Sequence, residues 1–146
     1  MPTVALVACV KSKRDRPMPA GRLYNSTWFQ KARVYARERC DSWFILSAKH
    51  GVLAPTDEVA PYEETLNNFS AQERQEWASS VLEELGEVLS PEDEVVILAG
   101  LKYREYLTGP LEDLVARVSI PMEGLGIGEQ LQFLNQRNSE QQVEAE

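Results

Sequence analysis

The chain has 146 residues, of which 43% are hydrophobic and 26% charged, which is one domain's worth of ordinary globular composition and argues against wholesale disorder, collagen-like order and coiled coil. No apolar run approaches the roughly 18 residues of a membrane span, and two cysteines with one histidine do not make a zinc cage, so a cytoplasmic protein with reduced thiols and no metal or cofactor is expected. The net charge of −8 hides an asymmetry: residues 1–50 hold ten Lys and Arg against three acids, a balance of +7 that leaves −15 for the rest, so a polyanion is repelled overall while one basic face can still dock phosphate weakly and locally.

In chain order, Thr3–Val10 is a continuous apolar run of the kind found in a strand covered on both faces. The stretch from Lys11 to Asn25, with Pro17, Pro19 and Gly21, reads as a long loop. Asn25 or Ser26 can cap a helix to about Cys40, with Trp28, Phe29, Ala32, Tyr35 and Ala36 on one side and Lys31, Arg33 and Arg37 on the other. Trp43–Ser47 is a second buried strand, and the residues from Ala48 to Tyr62 read as loop. Ser70 and Glu73 form a capping box for a helix to Leu89. Glu94–Gly100 is the third strand, Leu101–Leu107 a short helix closed by Gly109-Pro110, and Val115–Ile120 the fourth strand. A last helix starts near Ile127, and the polar, acidic residues 138–146 are expected to form a flexible tail beyond a single α/β domain spanning residues 1–137.

Alternating strands and helices predict an α/β fold in three layers, a four-stranded, mainly parallel sheet with helices on both faces. With the strands ordered 2-1-3-4, winding reverses between the first and third, and ligands of open sheets bind beyond the carboxyl ends at such a switch point. The loops that begin at Cys9 and Gly100 are therefore the first places to look for chemistry.

Four clusters carry candidate groups. Cys9, Lys11, Ser12 and Lys13 offer a thiol, a hydroxyl and two ammonium groups to a phosphate or leaving group, or are a packed cysteine followed by solvated lysines. Ser47, Lys49 and His50, with Gly51, place several donors at the end of the second strand, where they can meet a developing negative charge or simply face water. Tyr62 and Glu63 supply a ring that can stack on a base or fill the core, and a carboxylate that can orient water; Asp57, Glu58 and Glu64 are further candidates for the acid. Glu123, Gly124, Gly126 and Gly128 can bring backbone amides to an anion, or mark tight packing of strand on helix.

An ordered set of motifs ties these clusters together: C-x-K-x-K from Cys9, L-Y-N-S-x-x-F from Leu23, I-L-S-A-K-H-G-V-L-A-P from Ile45, P-Y-E-x-T-L from Pro61, L-A-G-x-x-Y from Leu98 and P-M-E-G-L-G-I-G-E-Q-L from Pro121. The set resembles a family of small uncharacterised bacterial and phage domains and, more distantly, a module of archaeosine synthase. Its elements also resemble the uracil-DNA-glycosylase-like fold. That resemblance marks Cys9, Lys11, Lys13, Tyr24, Ser47, Lys49, His50, Tyr62, Glu63, Gly100, Tyr103 and Glu123 through Gly128 as site positions. The G-x-D-P-Y motif and terminal H-P-S loop of uracil-DNA glycosylases are not found, which argues against ordinary uracil excision.

The expected activity is nucleobase chemistry, most concretely an N-glycosidase reaction on a modified base in nucleic acid or a nucleotide. Lys49, His50, Glu63 and Cys9 are the catalytic candidates, and Lys11, Ser12, Lys13, Tyr24, Ser47, Tyr62, Gly100, Tyr103, Glu123, Gly124, Gly126 and Gly128 the substrate-binding ones. A base-modifying transferase or lyase, with Cys9 or Lys49 as nucleophile, and a non-catalytic nucleotide-sensing module are the rival expectations.

Overall fold

The structure, a computed structural model, describes residues 2–8, 16–24, 26–62 and 65–145. The apolar run at the start forms β1 (Thr3–Ala8), and its side chains alternate between two cores. Ala5 and Val7 pack into one, Leu6 and Ala8 into the other, and complete burial of Leu6 or Val7 contributes ~1.5–3 kcal/mol each. β3 (Ser42–Ser47) pairs parallel to one side of β1, and β6 (Glu94–Leu98) pairs parallel to the other. β7 (Arg117–Ser119) lies parallel to β6 at one edge.

The opposite edge corrects the expectation of a four-stranded, mainly parallel sheet. β4 (Gly51–Leu53), inside the stretch read as loop, folds back antiparallel onto β3 with Gly51 opposite Ser47, so the sheet is mixed, has five strands and runs β4-β3-β1-β6-β7. Gly51 makes the turn back, at φ +72°, a conformation that costs other residues about 1–2 kcal/mol. The four expected strands do stand in the order 2-1-3-4. The expected loop after Lys11 also contains β2 (Met18–Pro19), which pairs antiparallel with β5 (Glu58–Val59), and the short helix α1 (Ala20–Leu23).

Helices cover both faces. α2 (Thr27–Arg39) starts where Ser26 Oγ accepts the Phe29 amide at 3.1 Å, and it shares one core with α6 (Ile127–Ala145). α3 (Ala71–Val88) opens on the complete capping box of Ser70 and Glu73 and shares the other core with α4 (Leu101–Arg104) and α5 (Thr108–Leu114). Gly109 and Pro110, expected to close a helix, instead lie in the first turn of α5, where no intrahelical donor is lost to the proline ring. The polar face expected of α2 is partly covered, because α6 seats along its Lys31 edge. Lys31 Nζ donates to Asn135 Oδ1, Arg39 Nη2 to the Arg137 carbonyl at 2.8 Å, and the Tyr35 and Phe133 rings meet at 5.8 Å. Arg33 is turned inward to the Gly21 carbonyl at 2.9 Å, so of the three cations expected on this face Arg37 alone stays exposed. Among the described residues no helix is long and apolar enough to cross a membrane.

Candidate functional site

The order of the sheet places the switch point between the carboxyl ends of β1 and β6, and a cavity of ≈ 500 Å³ opens there. Its floor is Ala8 and Gly100, the last described residue of β1 and the residue that precedes α4. Trp28, in the first turn of α2, forms one wall with Ile127 and Gln130 of α6. Leu101, Lys102 and Tyr103 of α4 line the cavity as well, as do Thr65 and Asn67.

Hydrogen bonds hold this lining in place. Trp28 Nε1 donates to Gln130 Oε1 at 2.9 Å, while Gln130 Nε2 donates to the Leu125 carbonyl at 2.9 Å. One N–H and one lone pair of the Gln130 amide remain for a ligand. Tyr103 meets Trp77 edge-on at 5.7 Å. At the mouth Leu101 and Ile127 are 59% and 64% exposed, large for aliphatic side chains on a surface this acidic.

A second arrangement lies under the end of β3. Tyr62 Oη is 2.5 Å from Tyr24 Oη and 2.6 Å from Ser47 Oγ, and Ser47 Oγ accepts the His50 amide at 3.0 Å. Ser47 and Tyr24 are 0% and 1% exposed and Tyr62 7%. The hydroxyls satisfy one another, as buried polar groups must. The Tyr62 ring is boxed in by the Tyr24 and His50 rings, at 6.3 and 5.2 Å.

Lys49 and His50 belong to the turn between β3 and β4 and are exposed. They line a separate, shallow hollow of ≈ 380 Å³ across from Glu73, Glu76 and Glu84 of α3. Trp77 forms part of that hollow and is also the ring against which Tyr103 of the switch-point cavity packs; its Nε1 donates to the Ser47 carbonyl at 2.9 Å. The hollow and the cavity are thus linked through the contact of Trp77 with Tyr103.

The structure therefore brings the candidates together in two groups. Gly100 and Tyr103 line the cavity; Tyr24, Ser47 and Tyr62 form the buried hydroxyl cluster, with His50 against it and Lys49 beside His50. Glu123 stands apart, 3.6 Å from Arg104 Nη1, while Arg104 Nε donates to the Ala99 carbonyl at 3.3 Å, so the turn after β7 is tied to the end of β6. Gly124 has φ +82°. Tight packing does not explain Gly126 and Gly128, which flank Ile127: an added Cβ would meet only Glu129 Oε1 at 3.6 Å in the first case and nothing within 4 Å in the second. Asp57 accepts the Ala54 amide at 2.9 Å and so serves its own turn. Cys9, Lys11, Ser12, Lys13, Glu63 and Glu64 lie outside the described residues; Ala8 and Thr65, their neighbours in sequence, line the cavity.

Lys102 and Gln130 were missed as cavity residues, whereas Ile127 lies within the marked run from Glu123 through Gly128. Each stands inside a motif of the ordered set, and Lys102 is one of the two unspecified positions of L-A-G-x-x-Y. Among the described residues no group of three or more His, Cys, Asp or Glu is placed to hold a metal ion.

The profile of a family described as "Family of unknown function (DUF6884)" matches residues 4–136. The chain belongs to that family. It is similar to "Uncharacterized protein YfjM" of Bacillus subtilis (strain 168), 31% identical over 149 residues that cover 92% of this chain and 94% of the relative. No solved structure matches this DUF6884 chain.

Proposed function

We propose that the protein acts on a nucleobase held in the switch-point cavity, as an N-glycosidase on a modified base, in keeping with the resemblance of its elements to the uracil-DNA-glycosylase-like fold. The observation that carries this reading is the composition of the cavity. Two aromatic residues, Trp28 and Tyr103, line it together with the neutral hydrogen-bonding groups of Thr65, Asn67 and Gln130. A volume of ≈ 500 Å³ lies in the range that encloses one small organic ligand, and an apolar slot with a few amide and hydroxyl groups suits a flat heterocycle with donors and acceptors at its edge.

In N-glycoside hydrolysis the bond from the sugar's anomeric carbon to the base nitrogen breaks, the base leaves with the electron pair, and water adds to the oxocarbenium-like sugar. Hydrogen-bond donors aimed at the departing base lower that barrier, and the Asn67 and Gln130 amides are the neutral donors available in the cavity. A carboxylate is needed for the water. Glu63, two residues before Thr65 in sequence, is the residue we assign to it. Lys49 and His50 line the neighbouring hollow with Trp77, the ring that packs against Tyr103, so we assign them an indirect, positioning part.

A second reading, a nucleotide-binding module without turnover, is favoured by one observation: among the described residues that line the cavity there is no carboxylate and no histidine. Incubation of the protein with nucleotides and oligonucleotides bearing modified bases, followed by mass spectrometry, separates the possibilities. Free base that disappears with Glu63→Gln supports the glycosidase. A mass change on an intact strand means base modification instead, and ligand retained without product means a binding module. Absence of both product and binding across the panel overturns the nucleobase reading.

A further inference from the structure

We propose that the cavity's ligand is a free nucleoside monophosphate, with Lys102 holding its phosphate, rather than a nucleotide within a strand. This rests on the reading of the cavity as a nucleobase site. Of the described residues that line it, Lys102 carries the only positive charge and no residue carries a negative one. Lys102 is exposed and makes no hydrogen bond or ion pair among the described residues. The nearby guanidinium groups are already engaged: Arg104 by the Ala99 carbonyl and Glu123, and Arg74 by Glu105 at 2.7 Å. One compact, mobile ammonium matches one terminal phosphate, whose charge of about −1.5 to −2 near neutral pH exceeds that of a phosphodiester.

The surroundings argue against a strand. Proteins that grip single strands line the backbone's path with repeated cations and aromatic rings. Here the mouth is flanked by Leu101 and Ile127, 59% and 64% exposed, so phosphates on either side of a bound nucleotide would lie against aliphatic side chains. Beyond Trp77 the next surface sets Glu73, Glu76 and Glu84 against the single cation Lys49, a net negative balance that disfavours a second phosphate. Lys31 and Arg39 of α2 are occupied in seating α6.

The test follows the Trp28 indole N–H by nuclear magnetic resonance in the full chain while 5′-nucleoside monophosphates, the matching nucleosides, a mixed-sequence single strand and a hairpin duplex are added in turn. The expected result is that a monophosphate shifts this signal and binds roughly tenfold more tightly than its nucleoside, as one charge-assisted contact implies. Lys102→Gln should erase that tenfold ratio and leave the nucleoside's affinity as it was; the position is exposed, so the fold tolerates it. A strand that binds more tightly than every monophosphate, or a ratio unchanged by Lys102→Gln, overturns the inference while the nucleobase reading stands. If none of the ligands moves the Trp28 signal, both fall.

Discussion

Replacing Tyr62 by phenylalanine removes one oxygen and leaves the ring between Tyr24 and His50. That oxygen lies 2.5 Å from Tyr24 Oη and 2.6 Å from Ser47 Oγ, in a cluster whose members are at most 7% exposed. Two hydrogen bonds disappear, while Ser47 keeps the His50 amide. A neutral bond of this kind contributes about 1 kcal/mol net, more where a buried partner is left under-satisfied, so the expected loss is ~2–3 kcal/mol. In a domain near this length each kcal/mol moves the midpoint by about 2–4 °C, which predicts a fall of roughly 4–12 °C. Urea titration followed by circular dichroism should give that loss with an unchanged slope. Ser47→Ala breaks the shared bond from the other end, so the double variant should cost about 1 kcal/mol less than the two single losses together. A loss under about 0.5 kcal/mol for Tyr62→Phe, or strict additivity, would refute the claim that the three hydroxyls act as one buried unit.

Other outcomes are equally open to measurement. Gln130→Ala takes the acceptor from the Trp28 indole N–H and should cost ~1–2 kcal/mol; hydrogen exchange should quicken at the start of α6, and unchanged protection there would count against the pinning role. Gly51→Ala forces an alanine into φ +72° with Glu84 against its Cβ and should destabilise by about 1–2 kcal/mol, whereas Gly86→Ala, in α3 with nothing within 4 Å of the added carbon, should stabilise by about 0.5–1 kcal/mol. Thermal melts distinguish the two signs. The Cys40 thiol is pushed up from 9.0 to about 11 by burial, with Asp41 and Glu94 adding to the shift. The folded state therefore holds the proton that the unfolded chain releases, so this stabilisation is complete below pH 9 and is lost as pH rises toward 11. Cys40→Ser should flatten the fall in stability over that window, and in the native protein alkylation at neutral pH should be slow.

Much of the fold was legible because its signals are local or strongly periodic. The run from Thr3 reads as a strand because both of its faces are buried, and the Ser70–Glu73 box reads as a helix start because both partners lie within one turn. β4 was not legible, since three residues after a turn carry too little pattern and its partner is supplied by β3. Lys31 looked like part of a solvated face because nothing in the residues of α2 shows that Asn135 will lie against it. Gly100 and Tyr103 were read as site residues and line the cavity, while Lys102, beside them in the chain, was not singled out.

The amino-acid sequence alone determined the alternation of strands and helices and where most of them begin, because burial pattern, capping and turn chemistry act over a few residues. Tertiary structure decided which polar groups face a cavity and which face one another. Tyr24, Ser47 and Tyr62 bury their hydroxyls together, Lys49 and His50 look toward the carboxylates of α3, and Gln130 meets Trp28 from across the chain. Such pairings join residues up to 102 positions apart, and they exist only once the chain has folded.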